Sequence, residues 1–574
     1  MKLKQYIKVA CLSSLTLMAA SCMDLEPLSD LGDNLVWDKA DNFQLFANQF
    51  YGWPHDFSSA ISDNPHSDYR SDLICTSSIN VYSQGTNTIP TGDKNYTDNY
   101  KHIYYTNLLL KNAATFSDPA AIAVPVAEAK FFRAFAYFEL VQLFGNTILL
   151  TDPVDLDSEK LSAPRDDRGV VVDQIIKDLK EAAADLPETS SEAGRLNKYV
   201  AHAMLSRVAL YEGTWQKFHT GGMDATANTE RSTALLTIAR DAANEVIAGG
   251  KYKIFHNDVL GNDSYRYMFT LEDGAQCNPA NLSKSDNTEY IFIKRHRNGD
   301  KTAWNITHGM VGNVCYITRK LANMYLCSDG LPIGKSPKFK HYTGVTDEFQ
   351  ERDNRMANNM LYQGQKYWNN DGKWRTTWTD ADLASSLEAN VRSGSGYQNR
   401  KWGTERKLDD YYESYDFPVI RYAEVLLNYA EAVYELNGAI TDDDLDKSLN
   451  LVRLRVNPAM PKLSNDLVSA HQLSMREEIR RERTIELQLE GHRFDDLKRW
   501  ATAAVEMVQP QLGVQVTGTW FETNWTNHGK TLNADGCIVL YTDRTWSDKL
   551  YLYPLPSDQL QLNPQLKPNP GWEN

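Results

Sequence analysis

Positive charge and paired cysteine are both scarce in this sequence. Its 574 residues carry 60 Lys and Arg against 75 Asp and Glu, a formal net charge of −15 at pH 7. A phosphate backbone or an anionic membrane face requires a basic footprint, so nucleic acid is excluded as a partner and a neutral or cationic ligand fits better. No two cysteines stand in the C-x-x-C spacing of a zinc or redox site. Beyond Cys11 and Cys22, the five remaining, Cys75, Cys277, Cys315, Cys327 and Cys537, are expected to be free, buried thiols with at most an incidental disulfide. G-x-S-x-G, H-E-x-x-H, P-loop and G-x-G-x-x-G patterns are all missing. No catalytic residue, cofactor or metal is therefore expected. The acidic run at 442–446, DDDLD, lacks the Gly at the sixth position and the Glu at the twelfth that a calcium loop needs, and reads instead as a helix N-terminus. His296 and His308, twelve apart in loop text, read as surface histidines.

Long apolar runs are also absent, apart from one near the start. Lys2, Lys4 and Lys8 precede an apolar stretch at 9–20, which is the layout of a secretory signal and too short to span a bilayer. Ala19, Ala20 and Ser21 lead into Cys22, a junction that resembles a bacterial lipobox with Ala19 where Leu is commoner. Residues 1–21 are thus expected to be removed and Cys22 to carry lipid. Each buried methylene of an acyl chain adds about 0.8 kcal/mol, so several chains anchor a protein durably.

Aromatic residues are abundant, with 13 Trp and 30 Tyr, enough to fill a core and still furnish a surface site. Helical periodicity, caps and stops predict a scaffold over about 36–50, 96–250 and 416–508. Within it, 37–50, 96–116, 126–144, 170–186, 197–211 and 234–247 read as helices, and Ala201, Ala203 and Ala209 let neighbours approach closely. The stretch 416–438 reads as one further helix. Residues about 51–95 and 255–415 are loop-rich, holding one short helix at 317–326 and a strand at 290–294, and about 509–574 forms an irregular tail. The expected fold is mainly α, with tetratricopeptide-like helix pairs carrying a large loop-rich portion, as a single domain over 22–574.

The densest pattern lies at 475–500, MREEIRRERTIELQLEGHRFDDLKRW. Glu482, Glu486 and Glu490 fall four apart and stack like charges on one helical stripe, at a cost of a few tenths of a kcal/mol per pair, about 0.2–0.5, unless answered. Arg480, Arg483 and Arg493 are the candidate answers. Ile479, Leu487 and Leu489 form an apolar stripe, Gly491 a helix stop, and Phe494, Leu497 and Trp500 a second stripe, giving helix, turn, helix. A lattice of guanidinium and carboxylate groups that locks packed helices explains this pattern better than a catalytic carboxylate pair.

This stretch also resembles the C-terminal signature of the SusD/RagB family of Bacteroidota outer-membrane nutrient-binding lipoproteins. Further resemblances follow in order at AEAKFFRAFAYFELVQLFGN (127–146), RYAEVLLNYAEA (421–432) and LYPLPSDQLQLNPQLKPNPGW (552–572). Asp24 and Glu26 resemble the acidic signal that sends such lipoproteins to the cell surface. The resemblance implies a non-enzymatic surface lipoprotein, held to the outer membrane through Cys22, that binds an oligosaccharide or polysaccharide and caps a SusC-like TonB-dependent transporter. It places the ligand face on residues 63–85 and 304–319, with 367–402 nearby. At the first loop this chain has Thr76, Ser78, Asn80 and Tyr82 where the starch-binding member has closely spaced Trp, so starch is not carried over.

Sugar rings stack on Trp and Tyr through an apolar C–H face while Asp, Asn and Arg bond the hydroxyls at the edge, each stack adding about 1 kcal/mol beyond area burial. Two platforms with several hydrogen bonds amount to about −4 to −8 kcal/mol, millimolar to micromolar affinity, suited to a protein that hands its ligand on. The candidates are Tyr82 and Trp304 as platforms, with Asp68, Arg70, Asp72 and Asn313 at the sugar edge. Asn80, Tyr316, Trp368, Trp374 and Tyr397 complete the expected site. Two alternatives are a peptide-binding lid, to which the acidic charge would suit cationic peptides, and a glycoside hydrolase, which needs two carboxylates about 5–10 Å apart in the cleft. The anchor is directly testable: radiolabelled fatty acid is expected in the wild type and absent from Cys22→Ala, and equal labelling of both would exclude it.

Overall fold

The computed structural model describes residues 37–57, 64–155, 158–190, 192–221, 227–274, 278–297, 299, 306–307, 315–362, 365, 367–368, 374–375, 394–404, 411–526 and 528–573. Cys22, Cys277, Trp304, His308 and Asn313 lie outside them.

Among the helices of the described residues, nine carry the architecture: α1 (Ala40–Ala47), α2 (Lys94–Ala113), α3 (Ala123–Phe144), α4 (Arg168–Asp185), α5 (Lys198–Phe218), α6 (Thr229–Gly249), α7 (Tyr422–Asn437), α8 (Met475–Glu486) and α9 (Arg493–Arg499). Short Asp and Asn side chains start four of them by accepting backbone N–H groups that the first turn leaves open. Asp93 accepts from Asn95, Asp167 from Gly169, Asn197 from Tyr199 and Asn228 from Arg231, at 2.8–2.9 Å. Each long helix then packs on its successor from α2 through α6, α6 packs on α7, and α7 on α8. This succession of helix pairs is the expected tetratricopeptide-like scaffold. Its centre is α3, buried at every position from Phe131 to Phe144 because α2, α4 and α1 cover it from different sides. Close approach depends on small residues: Ala201, Ala203 and Ala209 are buried, and a Cβ on Gly213 would stand 3.0 Å from Leu236 of α6. Among the described residues no helix is long and apolar enough to cross a membrane. Cys75, Cys315, Cys327 and Cys537 are free and buried, as expected.

The described residues also hold ten short strands, seven in the loop-rich part, β1 (Ile74–Cys75), β2 (Tyr290–Lys294), β3 (Tyr316–Ile317), β4 (Met360–Leu361), β5 (Tyr367–Trp368), β6 (Trp374–Arg375) and β7 (Gln398–Asn399), then β8 (Phe417–Arg421) before α7, and β9 (Gln511–Gln515) and β10 (Cys537–Tyr541), which pair in the tail expected to be irregular. Here the sequence reading needs two corrections. Residues 416–421 are not helical, because Pro418 lacks the N–H a helix interior needs and Val419 and Ile420 favour a pleated edge. β8 pairs antiparallel with β2 instead, and α7 starts only at Tyr422. The helix read at 317–326 is confined to Arg319–Met324, with Ile317 in β3 and Thr318 as its cap. DDDLD does open a helix, Asp442–Asp446, capped by Thr441.

The α8–α9 hairpin corrects a third reading, the identity of the cations that answer the glutamates. Glu486 pairs with Arg421 (2.7 Å), Arg455 (2.8 Å) and Arg355 (2.9 Å), Glu490 with Arg421 and Lys401 (2.6 Å each), and Glu482 with Arg355 (2.5 Å). All four cations come from distant segments and are completely or nearly completely buried. Arg483 turns instead to Asp496 (2.8 Å), and Arg480 lies over the rings of Phe218 and Trp500. The apolar stripes are buried as predicted. Gly491 does not stop α8, which ends at Glu486; with φ +79° it holds a left-handed turn 3.4 Å from the His66 carbonyl, measured from where a Cβ would stand.

Burial pushes the Glu486 carboxyl up, but the guanidinium groups of Arg455, Arg421 and Arg355 outweigh it and hold the carboxyl well below the usual range. Burial raises Glu482 with too little compensation from Arg355 and Arg453. Removing one partner of such a buried pair costs about 3–5 kcal/mol, so Glu486→Ala is expected to melt far below wild type. A depressed carboxyl contributes stability above its unfolded pKa, about 4.3, and loses it as pH falls toward the folded value. Calorimetric scans from about pH 6 to about pH 3 should therefore show a steeper fall for wild type than for Glu486→Gln.

Candidate functional site

Three segments far apart in sequence meet in one small sheet of order β1-β3-β7-β4. Cys75 opposes Tyr316, Tyr316 opposes Gln398, and Gln398 opposes Leu361, all antiparallel. The stretches 63–85, 304–319 and 367–402 each contribute a strand to it. Because β1 and β3 run in opposite directions, the chain leaves β1 at the end where it enters β3. At that end Thr76 is half-buried and Ser77, Ser78, Ile79 and Val81 are exposed, while the Tyr541 hydroxyl donates to the Thr76 carbonyl (2.8 Å). Close packing inside the sheet uses Gly394, whose missing Cβ would stand 2.4 Å from the Tyr316 ring.

The expected contact residues divide sharply. Asp68 and Asp72 are each 1% exposed and Arg70 is 5% exposed. Asp68 accepts the backbone N–H groups of Leu489 (2.6 Å) and Arg493 (3.3 Å) in the turn between α8 and α9. Asp72 takes both arms of the Arg493 guanidinium (2.9 and 2.8 Å) and the Lys320 ammonium (2.5 Å). Burial raises the Asp72 carboxyl, yet Arg493 and Lys320 prevail and hold it well below the carboxylate range. For Asp68 burial wins, pushing its carboxyl up to about 7. Arg70 donates to the Tyr553 hydroxyl (2.7 Å) and lies 3.5 Å over the Tyr82 ring. Rather than a sugar edge, these three form an internal clamp whose bonds go to the C-terminal hairpin and tail.

Tyr316 and Tyr397 are likewise corrected, being 6% and 3% exposed, with the Tyr397 hydroxyl donating to Glu348 (3.0 Å). Tyr82 is half-buried, with the Arg70 guanidinium 3.5 Å from its ring centroid and the Tyr553 ring stacked at 5.2 Å, so its ring is already engaged by these two neighbours. Asn80 spends its side-chain oxygen capping the turn Val81–Gln84, accepting from Tyr82 (2.9 Å) and Ser83 (3.2 Å). Trp368 and Trp374 oppose one another across the β5–β6 ribbon. Trp304 and Asn313 lie outside the described residues.

Sequence reasoning missed Tyr541 and the pair Arg319–Tyr342. Tyr541, half-buried at the end of β10, has its hydroxyl pushed up to about 12 by burial, with Cys75 and Tyr316 adding to the shift. The Arg319 guanidinium sits 3.9 Å over the half-buried Tyr342 ring, whose hydroxyl donates to Asn323 (3.0 Å). The continuous apolar, β-branched run of 537–541 is the signal that marks Tyr541 as a strand residue; nothing local marks it as part of this face. Among the described residues, Asp72 and Glu348 near the sheet are buried and engaged by Arg493 and Tyr397. Away from this face, His55, His66 and Glu139 bring three metal-ligand atoms within 4.8 Å of one another.

A family model described as the SusD family matches residues 268–572, and one described as starch-binding and associating with the outer membrane matches 37–210. A SusD-like protein of Bacteroides ovatus is 23% identical over 393 residues, which is 66% of this chain and 60% of the relative. SusD-like protein P25 of Formosa agariphila is 30% identical over 124 residues, 21% of this chain and 23% of the relative. The aligned stretch thus spans less than two thirds of either relative. Among solved structures, a SusD-like protein of Bacteroides fragilis superposes with a TM-score of 0.70 at 23% identity, covering 95% of this chain and 99% of its own. A SusD-like carbohydrate binding protein from the same species gives 0.70 at 22% identity, over 93% and 100%. The match across 268–572, which contains the α8–α9 hairpin, both β8 and α7, and the C-terminal tail, shows that the chain belongs to the SusD family.

Proposed function

We propose that this protein captures oligosaccharides at the end of the four-stranded sheet where β1 exits, and delivers them as a lid to a SusC-like TonB-dependent transporter in the outer membrane, to which Cys22 lipid tethers it. The observation that carries the reading is the convergence of β1, β3 and β7, which brings three loop-rich stretches to one place on a rigid helical scaffold. Binding residues on loops held by such a scaffold keep their positions at little entropic cost. Exposed hydroxyls at 77–78 and the Tyr541 ring offer the edge bonding and stacking that a sugar needs. Family membership supports the reading, as does the carbohydrate-binding description of the Bacteroides fragilis relative. The buried state of Asp72 and Glu348 favours capture over hydrolysis.

Calorimetric titration against a panel of neutral oligosaccharides, with cationic peptides as the competing class, tests the proposal. A glycan is expected to bind in the millimolar to micromolar range. Trp304→Ala or Tyr541→Ala should weaken that binding about tenfold, equivalent to about 1.4 kcal/mol, with an unchanged melting temperature. Binding of peptides alone would move the ligand class to peptide, and unchanged glycan affinity in both variants would place the site elsewhere.

A further inference from the structure

Beneath the clamp formed by Asp68 and Asp72 lies a cluster that glycan capture does not use. Glu139, on the central helix α3, receives two imidazoles on the same oxygen: Nε2 of His55 and Nε2 of His66 each stand 2.9 Å from its Oε2. The His66 ring is held from behind, with Nδ1 2.6 Å from Oδ2 of Asp495 in the first turn of α9. Lys498 in turn sits 3.0 Å from the other oxygen of Asp495. His66, Glu139 and Asp495 are about nine-tenths buried, whereas the His55 side chain is 35% exposed, so the cluster opens to solvent on one side. A cavity of about 100 Å³ adjoins it, lined also by Asn64, Gln142 and Arg207.

We propose that His55, His66 and Glu139 form a binding site for a first-row transition-metal dication of the zinc type, ligated through the two Nε2 atoms and Oε2. Two imidazoles and one carboxylate are the donor set that such ions prefer, whereas calcium and magnesium take oxygen alone. Zinc ligands stand about 2.0–2.1 Å from the metal, which in a tetrahedron separates them by roughly 3.3 Å. The two Nε2–Oε2 separations of 2.9 Å are a few tenths of an ångström short of that spacing, and all three ligand atoms lie within 4.8 Å of one another. Asp495 supplies the outer carboxylate that ligating histidines characteristically engage: it keeps the proton on Nδ1, while the Nε2 proton now held against Glu139 is released to solvent as the metal takes its place. The exposed edge of His55 gives an entry path and a fourth position for water. A bound ion ties the segment after α1 to α3 and α9 just before the chain runs on to β1 and the candidate ligand face. This replaces the sequence-based expectation of no metal, which rested on the absence of local ligand spacing. His55 and His66 are eleven apart, and Glu139 lies seventy-three residues further on.

The test uses the untagged mature chain, stripped with chelator and then titrated with zinc chloride by calorimetry, with metal content measured after gel filtration. One zinc per chain is expected for the wild type, with a rise in melting temperature that needs the ion. His55→Ala, at a half-exposed position that leaves the core intact, should lose both the retained zinc and the zinc-dependent rise. Asp495→Asn should retain the site and weaken it about 10- to 100-fold, the effect of an outer-sphere partner. His256→Ala, at an exposed histidine remote from the cluster, should match wild type. Zinc uptake that is equal in wild type and His55→Ala would overturn the proposal, as would a stripped wild type that takes up none.

Discussion

Everything in this molecule leans on the buried charge lattice around Glu486. Four cations from segments up to 131 residues away, Arg355, Lys401, Arg421 and Arg455, converge on the three glutamates of α8 and its turn, with Glu289 and Asp353 completing the set. Taking such charges out of water costs several kcal/mol per ion, and only close, multiply bonded geometry offsets it. The lattice is thus a poor source of net stability and a strong source of specificity. A misplaced Arg421 would take one cation from each of two buried glutamates, leaving Glu490 with Lys401 and Glu486 with Arg355 and Arg455.

That requirement explains the position of the ligand face. β8 places Arg421 at its last residue, directly before α7, so the strand and the helix are both oriented by where the guanidinium must go. The turn after α8 in turn presents the backbone of Leu489 and the side chain of Arg493 to Asp68 and Asp72. Those two aspartates fix the approach to β1, and β1 recruits β3 and β7. The surface that meets solvent is therefore held in place by charges that never do.

A second polar layer lies just beyond the lattice. Asp496 and Glu431 both hold Arg499, and Asp496 also holds Arg483, joining α9 to α7 and α8. Burial raises the Glu431 carboxyl, but Arg499 and Arg483 bring it down to about 2. His66, bridging Glu139 and Asp495, continues this layer to α3. The Glu486 lattice and the His66 bridge thus fasten the helical array to the loop-rich part, while the Arg499 group ties α7, α8 and α9 to one another.

Much of this was readable from the chain itself. Local signals, apolar period, Asn and Asp caps, and prolines and glycines at helix ends, marked the helices at 94–250 and the α8–α9 hairpin, because helix formation is decided within a few residues. The Glu ladder told, by its own repulsion, that cations must answer it. Which cations did so could not be read: Arg480, Arg483 and Arg493 were nearest in sequence, yet helical geometry points them elsewhere, and the answers arrive from β8 and distant turns. The same reason misassigned Asp68, Arg70 and Asp72. Loop text with aromatic and charged residues looks exposed when no period demands burial, and only the folded turn of α9 shows that their partners lie more than four hundred residues along the chain. Local structure and family motifs follow from short-range chemistry written in order along the sequence. The partner of each buried charge, the meeting of β1, β3 and β7, and the grouping of His55 with His66 and Glu139 were settled only by tertiary structure, because desolvation makes a charge accept whichever opposite group the packing brings within bonding distance.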